Sequence, residues 1–367
     1  MNSLYVHIPF CEQKCFYCSF VVSIGQTHRI GRYIDCLKKE AQRYSGETIR
    51  SIYVGGGTPT LLDEAHLQEL FKMIHENFKF SSDIEWTIEA NPERLDLSKL
   101  KFIKSEGVNR ISLGVQSLND KYLEYLGRNH DSSTAVKAYD QIRKAGFDNI
   151  NVDLMFSFPN QTMDELKEDV NALTQFNSEH LSLYTLTIEK NSKFYAQNIQ
   201  LQDDDDQVRK YTFVCDALKA KGFEQYEVSN FSKPAKASAH NLNYWLGNHY
   251  IGLGIGAHSH IGAKRSWNIS KLTEYISRME KGLSVEGGSE ALTPYHKMKE
   301  TVLFGLRMNR GVDISRITER FDCFLSDEEL KKIDQFIEGG FLVKDNGVLK
   351  ASADGRLVLD ELCARLV

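Results

Sequence analysis

The stretch "YVHIPFCEQKCFYCSF", residues 5–20, decides how the rest of the chain is read. A run of alternating β-branched and aromatic residues leads directly into three cysteines, Cys11, Cys15 and Cys18, spread over eight positions. Soft thiolates suit zinc or an iron–sulfur cluster. A closed zinc site takes four ligands, usually from two separated hairpins, and the only nearby fourth candidate is His7 on the preceding strand. Three cysteines match three corners of a four-iron four-sulfur cube and leave the fourth iron open to a small molecule. Phe10, Phe16, Tyr17 and Phe20 would then shield the cluster from water and help set its potential.

Outward from this loop, short runs rich in β-branched and aromatic residues recur: 3–9, 51–57, 84–90, 110–116, 149–156 and 180–186. Each is followed by a stretch of helical periodicity, such as "DEAHLQELFKMIHENF" or "MDELKEDVNALTQF". Strands alternating with helices imply right-handed crossovers and a parallel α/β sheet, either open or curled into a barrel. Chemistry in such sheets collects at the carboxyl ends of the strands. The cysteines, Gly55 to Thr60, Glu89 and Gln116 all fall there.

After about residue 205 the rhythm changes. Residues 223–231 read as one further strand, and 240–260, "HNLNYWLGNHYIGLGIGAHSH", as a loop rich in aromatics, histidine and glycine. Within it "GLGIGA" mimics part of a dinucleotide fingerprint, but no βαβ unit follows, so a close-packed turn is expected. From about residue 290 three helices, a hairpin turning at Asp345-Asn346-Gly347 and a final helix resemble a winged helix.

The 367 residues carry 45 Lys and Arg against 50 Asp and Glu, a net charge of −5, with the two signs interspersed. That balance argues against nucleic acid as a partner and against a DNA-reading winged helix. Seven cysteines, four of them scattered at 36, 215, 323 and 363, form no disulfide framework. The scattered four are expected to be small buried hydrophobes. With no apolar run long enough for a bilayer and no signal-peptide plan, the expected location is the cytoplasm.

Cys-x3-Cys-x2-Cys after a first strand resembles the radical S-adenosylmethionine superfamily. The words "YVGGGTPT", "IEANP", "GVQS", "LGRNH", "DLMFSFP", "YEVSNF" and "GIGAHSH" narrow the resemblance to the oxygen-independent coproporphyrinogen III oxidase (HemN-like) family. Phe20 stands where the dehydrogenase branch carries a fourth cysteine, no N-terminal extension precedes the cluster strand, and "HNLNYW" fits the His-Asn-x-x-Tyr-Trp motif of the heme-chaperone branch. The resemblance implies a partial (β/α)6 radical SAM barrel over residues 1–230, a heme-motif and connecting region over 231–290, and a C-terminal, mostly helical, winged-helix-like domain over 291–367. It implies a [4Fe-4S] cluster on Cys11, Cys15 and Cys18, and S-adenosylmethionine contacts at Tyr5, Tyr17, Gly56, Gly57, Thr58, Glu89, Gln116, Arg128 and Asp153. It further implies heme held by His240, with His249, His258 and His260 as rivals, and an acceptor hemoprotein as partner. Peripheral membrane contact and a homodimer are compatible with it. The resemblance leaves two alternatives: oxidative decarboxylation of coproporphyrinogen III, favoured by the intact cofactor motifs, and a radical enzyme acting on RNA, favoured only by the winged-helix-like tail.

Overall fold

In the computed structural model, which describes residues 2–366, six parallel strands lie side by side in chain order. They are β1 (Asn2–Ile8), β2 (Thr48–Gly56), β3 (Lys79–Ala90), β4 (Arg110–Gln116), β5 (Ile150–Phe156) and β6 (His180–Thr185). Between them the chain returns through α1 (Ile30–Ala41), α2 (Glu64–Asn77), α3 (Leu97–Ser105), α4 (Asp120–Leu126), α5 (Ser132–Lys144) and α6 (Met163–Gln175). The helix starts are chemically marked. Asp63, Asp96, Asn119, Asp131 and Thr162 each accept a backbone N–H of the first turn, and Thr162 with Glu165 forms a full capping box.

Period-two alternation gives the sheet two different faces. Leu4, Val6, Ile8, Ile52, Val54, Trp86, Ile88, Ile111 and Leu113 are buried in the main apolar core with the helices. The alternate positions are polar, and they bond across the strands: Ser3 to Ser51 at 2.7 Å, Asn151 to Ser112 at 2.8 Å, Ser182 to Asn151 at 3.0 Å. The concave face is therefore a polar lumen, with its hydrogen-bonding groups paired as burial requires.

Beyond β6 the chain forms α7 (Asp204–Ala220) and then, where one strand was expected at 223–231, two short antiparallel ones, β7 (Glu224–Gln225) and β8 (Asn230–Ser232). The break comes from Glu227, whose carboxylate accepts the Ser229 N–H at 3.0 Å and turns the backbone back. The expected loop at 240–260 is also corrected. It is α8 (Ala239–Trp245), β9 (Tyr250–Leu253) and the start of β10 (His258–Ile261), punctuated by Gly247, Gly254 and Gly256 with φ of 61°, 95° and 64°. Strand β9 runs parallel to β1, and β10, β11 (Lys264–Asn268) and β12 (Glu286–Ala291) extend that edge antiparallel. The "GLGIGA" segment is a close-packed turn: a Cβ on Gly252 would lie 2.0 Å from the His258 carbonyl oxygen. Helix α9 (Leu272–Glu280) adds Leu272, Tyr275, Ile276 and Met279 to the core beside α1, so residues of 231–290 share the barrel's core.

The remaining chain has its own apolar cluster, from Met298 to Leu366. It runs α10 (Pro294–Leu306), β13 (Val312–Asp313), α11 (Ile314–Phe321), α12 (Asp327–Glu338), β14 (Leu342–Asp345), β15 (Val348–Ala351), α13 (Ala353–Leu357) and α14 (Leu359–Leu366). Asn346 and Gly347, with φ of 49° and 84°, make the two-residue turn that the Asn-Gly pair predicts. The order helix, strand, helix, helix, strand, strand is winged-helix-like. The fold as a whole is α/β, a parallel-dominated sheet with a mostly helical C-terminal appendage. Met1 and Val367, at the ends of the expected outer segments, lie outside the described residues.

Candidate cluster and cofactor pocket

The first strand delivers the cysteine loop to the carboxyl end of the sheet, where three contacts hold it. Phe16 N donates to the Leu126 carbonyl at 2.9 Å, Phe194 N donates to the Phe16 carbonyl at 3.0 Å, and Ser23 N donates to the Pro9 carbonyl at 2.7 Å. All seven cysteines are free thiols, the scattered four buried or half-buried as expected. Arg128 connects the loop to the sheet: Nη1 donates to Cys15 Sγ at 3.5 Å, while Nη2 donates to Asn91 Oδ1 at 2.9 Å and to the Gly114 carbonyl at 2.8 Å. Asn91 in turn donates to Thr58 Oγ1 at 2.9 Å, and Thr58 Oγ1 lies 3.6 Å from Cys11 Sγ.

A cavity of about 130 Å3 opens on this loop, and Cys11, Cys15 and Cys18 all face it. So do Tyr17, Gly56, Gly57, Thr58, Glu89, Gln116, Arg128 and Asp153, residues from five different strand ends or the loops that follow them. The glycines are required by space as well as by conformation. Gly56 has φ of 116°, and a Cβ there would sit 2.5 Å from the His7 ring; one on Gly57 would meet the Phe10 carbonyl oxygen at 2.8 Å and Cys11 Sγ at 2.9 Å. Gln116 has φ of 71°, left-handed for a non-glycine residue, and follows an irregularity in the β4–β5 ladder that turns its side chain into the cavity. Glu89 accepts the Gly56 N–H at 2.9 Å and the Tyr53 hydroxyl at 2.8 Å. Burial outweighs those donors and pushes its carboxyl up to about 7. Burial likewise raises the Asp153 carboxyl, and it pushes the Cys11 thiol up to about 11.

These features suit the group that the loop implies. Three thiols converge on one cavity with a guanidinium beside them, a glycine turn puts no side chain in the way, and a buried carboxyl has two hydrogen-bond donors but no cationic partner among its neighbours. Which of the family's contacts belong here is thus a matter of position for all but two residues. Tyr5 stands behind the cavity, its hydroxyl 2.9 Å from His7 Nδ1 and its ring against Tyr53. His240 lies elsewhere altogether.

His240 sits toward the amino end of the lumen, on α8. Ser238 caps this helix, and Glu85 of β3 accepts from Ser238 Oγ, Ala239 N and His240 N at 3.1, 3.0 and 3.0 Å. The imidazole is 2 % exposed, with Nδ1 3.0 Å from Ser51 Oγ and Nε2 3.2 Å from the Tyr244 hydroxyl. It also packs on Tyr53, 5.2 Å between centroids. A loop histidine was expected; a lumen plug on a short helix with both nitrogens engaged is found, because Glu85 fixes the helix start against the strands. Asn91 and Tyr53 were not singled out as site residues, and His7 only as a candidate fourth zinc ligand; its two ring nitrogens instead bond the Tyr5 hydroxyl and the Val21 carbonyl. Asn91 sits in "IEANP" as an ordinary-looking polar residue, and only its contact to Arg128, 37 positions away, reveals it.

Residues 5–173 match the radical SAM superfamily profile, and residues 292–358 match the HemN C-terminal domain. The fold and the cysteine pocket thus define a radical SAM protein. Among relatives, the heme chaperone HemW of Bacillus subtilis is 35% identical, with 99% of this chain and 98% of that protein covered. HemW of Lactococcus lactis is 33% identical over 94% of this chain and 91% of its own. Coproporphyrinogen III oxidase (HemN) from Escherichia coli, a solved structure, superposes with a TM-score of 0.88 at 26% identity, covering 100% of this chain and 89% of that one. Within the superfamily, the chain belongs to the HemW family of HemN-like proteins.

Proposed function

We propose that the protein is a heme chaperone, binding heme and passing it to an acceptor hemoprotein in the cytoplasm. The observation that carries this reading is the 35% identity with a heme chaperone across 99% of the chain. Cys11, Cys15 and Cys18 would hold a [4Fe-4S] cluster, and the remaining cavity would take S-adenosylmethionine. When bound, this pair supplies one-electron chemistry or a conformational signal. Glu89 would receive the ligand's ammonium and the side-chain-free Gly56–Gly57 turn would let the ligand approach the wall, with Thr58, Tyr17, Gln116, Arg128 and Asp153 completing the enclosure and Tyr5 supporting it from behind. Because burial raises the Cys11 and Cys18 thiols, loading the cluster expels protons. The segment of His240 forms part of the heme site; ligation through His240 itself requires its contact to Ser51 or Tyr244 to open. Peripheral membrane contact and a homodimer would serve delivery to the acceptor.

The test is to titrate heme anaerobically into the cluster-reconstituted protein, follow the Soret band, and then add an apo-hemoprotein. Saturable binding followed by transfer is expected. His240→Ala should weaken binding while leaving the cluster's visible absorption intact. A second reading, oxidative decarboxylation of coproporphyrinogen III, is favoured by the HemN superposition at a TM-score of 0.88. Absence of saturable heme binding, together with protoporphyrinogen IX formed under reducing conditions, would put that reading first.

A further inference from the structure

Helix α8 has a second face, turned away from the lumen. There Tyr244 and Trp245, with Phe304 and Thr301 of α10 and His260 of β10, wall a cavity of about 270 Å3 between the barrel edge and the C-terminal unit. Gly247 allows the two to approach: its φ is 61°, and a Cβ there would lie 2.4 Å from Thr301 Oγ1. Trp245 and Phe304 meet edge to face at 6.4 Å, leaving flat apolar walls suited to an aromatic ring system. The lining carries Lys297 and Arg265 against one carboxylate, Glu300, which pairs with Arg265, so one cation is in excess. Beyond the lining Arg307 lies 4.9 Å over the Trp245 ring and Arg320 reaches the Leu246 carbonyl.

One imidazole in this wall has an unused nitrogen. His260 is 5 % exposed, and its Nε2, itself buried, has no hydrogen-bond partner among the described residues, so ligation through it requires the ring to turn into the cleft. The neighbouring histidines are differently placed. His240 is bonded through both nitrogens, His258 is exposed and stacked on Trp267 at 5.8 Å, and His249 packs edge-on against His260 at 5.4 Å. Burial, with His249, Arg265, Lys297 and Arg320 nearby, lowers the His260 pKa to about 4, so at neutral pH the ring keeps its lone pair.

Resting on the heme-chaperone reading, we infer that this cleft is where heme enters, edge-first between the aromatic walls, with His260 rather than His240 as the iron's axial ligand and the cleft's cations facing the propionates. The cavity is near the small end of ligand pockets, about 300 Å3, so part of the macrocycle stays outside, as suits cargo that must leave. His240 is then a positioning residue, holding α8 and hence Tyr244 and Trp245.

The test compares hemin with metal-free protoporphyrin IX, which has the same plane and carboxylates but no iron, on wild-type protein and on His260→Ala, His260→Gln, His240→Ala and Phe304→Ala. Each variant is first checked for cluster absorption and cooperative thermal unfolding. His260→Ala and His260→Gln should weaken hemin at least about tenfold, about 1.4 kcal/mol, alter its Soret and electron-resonance signature, and leave protoporphyrin affinity unchanged. Phe304→Ala should weaken both ligands, and His240→Ala should weaken hemin with the axial signature retained. Wild-type hemin affinity and signature in both His260 variants would overturn this inference alone, and equal weakening of hemin and protoporphyrin in them would do the same. No saturable hemin binding by the wild type would overturn the chaperone reading with it.

Discussion

The two ends of the parallel sheet are built from the same strands and treat their polar groups in opposite ways. At the carboxyl end Glu89 and the cysteine thiols line a cavity, and Gly56 and Gly57 bring backbone without side chains to its wall. At the amino end the lumen is shut: Ser3 bonds Ser51, Ser51 bonds His240, and Glu85 receives the start of α8. A chemically reactive site needs groups whose partners are missing until a ligand arrives, whereas a plug needs every partner present. By that criterion the cluster pocket has the character of a binding site as it stands, while in the proposed reading the "HNLNYW" segment organises one, with its outer face walling the cleft beside His260.

The comparison breaks most visibly at the cysteines. Cys15→Ala should abolish the visible absorption of the reconstituted cluster, read by spectroscopy with iron and sulfide analysis. Next comes Gly57→Ala, whose Cβ would press on the Phe10 and Pro9 backbone. It should cost about 1–3 kcal/mol in thermal unfolding and lower S-adenosylmethionine affinity more than about tenfold by equilibrium dialysis. At the opposite end, Glu85→Ala removes an acceptor of three hydrogen bonds. Loss of such charge-assisted bonds should cost about 1.5–3 kcal/mol, loosening α8 and weakening heme binding while the cluster spectrum stays as in the wild type.

Acidity sharpens the contrast further. A carboxyl held near 7 in the free pocket is half-protonated at neutral pH, and only its anion attracts an ammonium. S-adenosylmethionine affinity should therefore fall as pH drops through about 7, approaching about tenfold per unit; Glu89→Gln should bind weakly with a flat profile over the same range. A constant wild-type affinity from pH 8 to 6 would remove Glu89 from the ammonium's contacts. The smallest effect is expected at Gly347→Ala, where φ of 84° strains any Cβ but nothing lies within 4 Å. About 1 kcal/mol of stability should be lost, with cluster and heme spectra unaltered.

How much of this could be read from the chain follows the range of the interactions involved. The six strands were legible because short runs of β-branched and aromatic residues are local signals, and the cysteine spacing because a cluster loop is a single short segment. The Asn-Gly turn was legible for the same reason. Helix α8 was not: seven residues are too few to hold a helix by propensity, and its start depends on Glu85, 153 positions earlier. The residues that the family's motifs single out as cluster and cofactor contacts line, Tyr5 and His240 apart, one cavity, yet the motifs pointed to His240 without revealing that the fold encloses it. Nothing local distinguishes His260 from His258; their strand places one against the cleft and the other in the open.

The most direct measurement is a heme titration of Cys15→Ala beside the wild type, with the cluster followed by visible absorption and the heme by its Soret band and electron resonance. If the two ends work as separate sites, the variant loses the cluster and binds heme with wild-type affinity and the same axial signature. Loss of heme binding together with the cluster would contradict the separation and place heme at the carboxyl end.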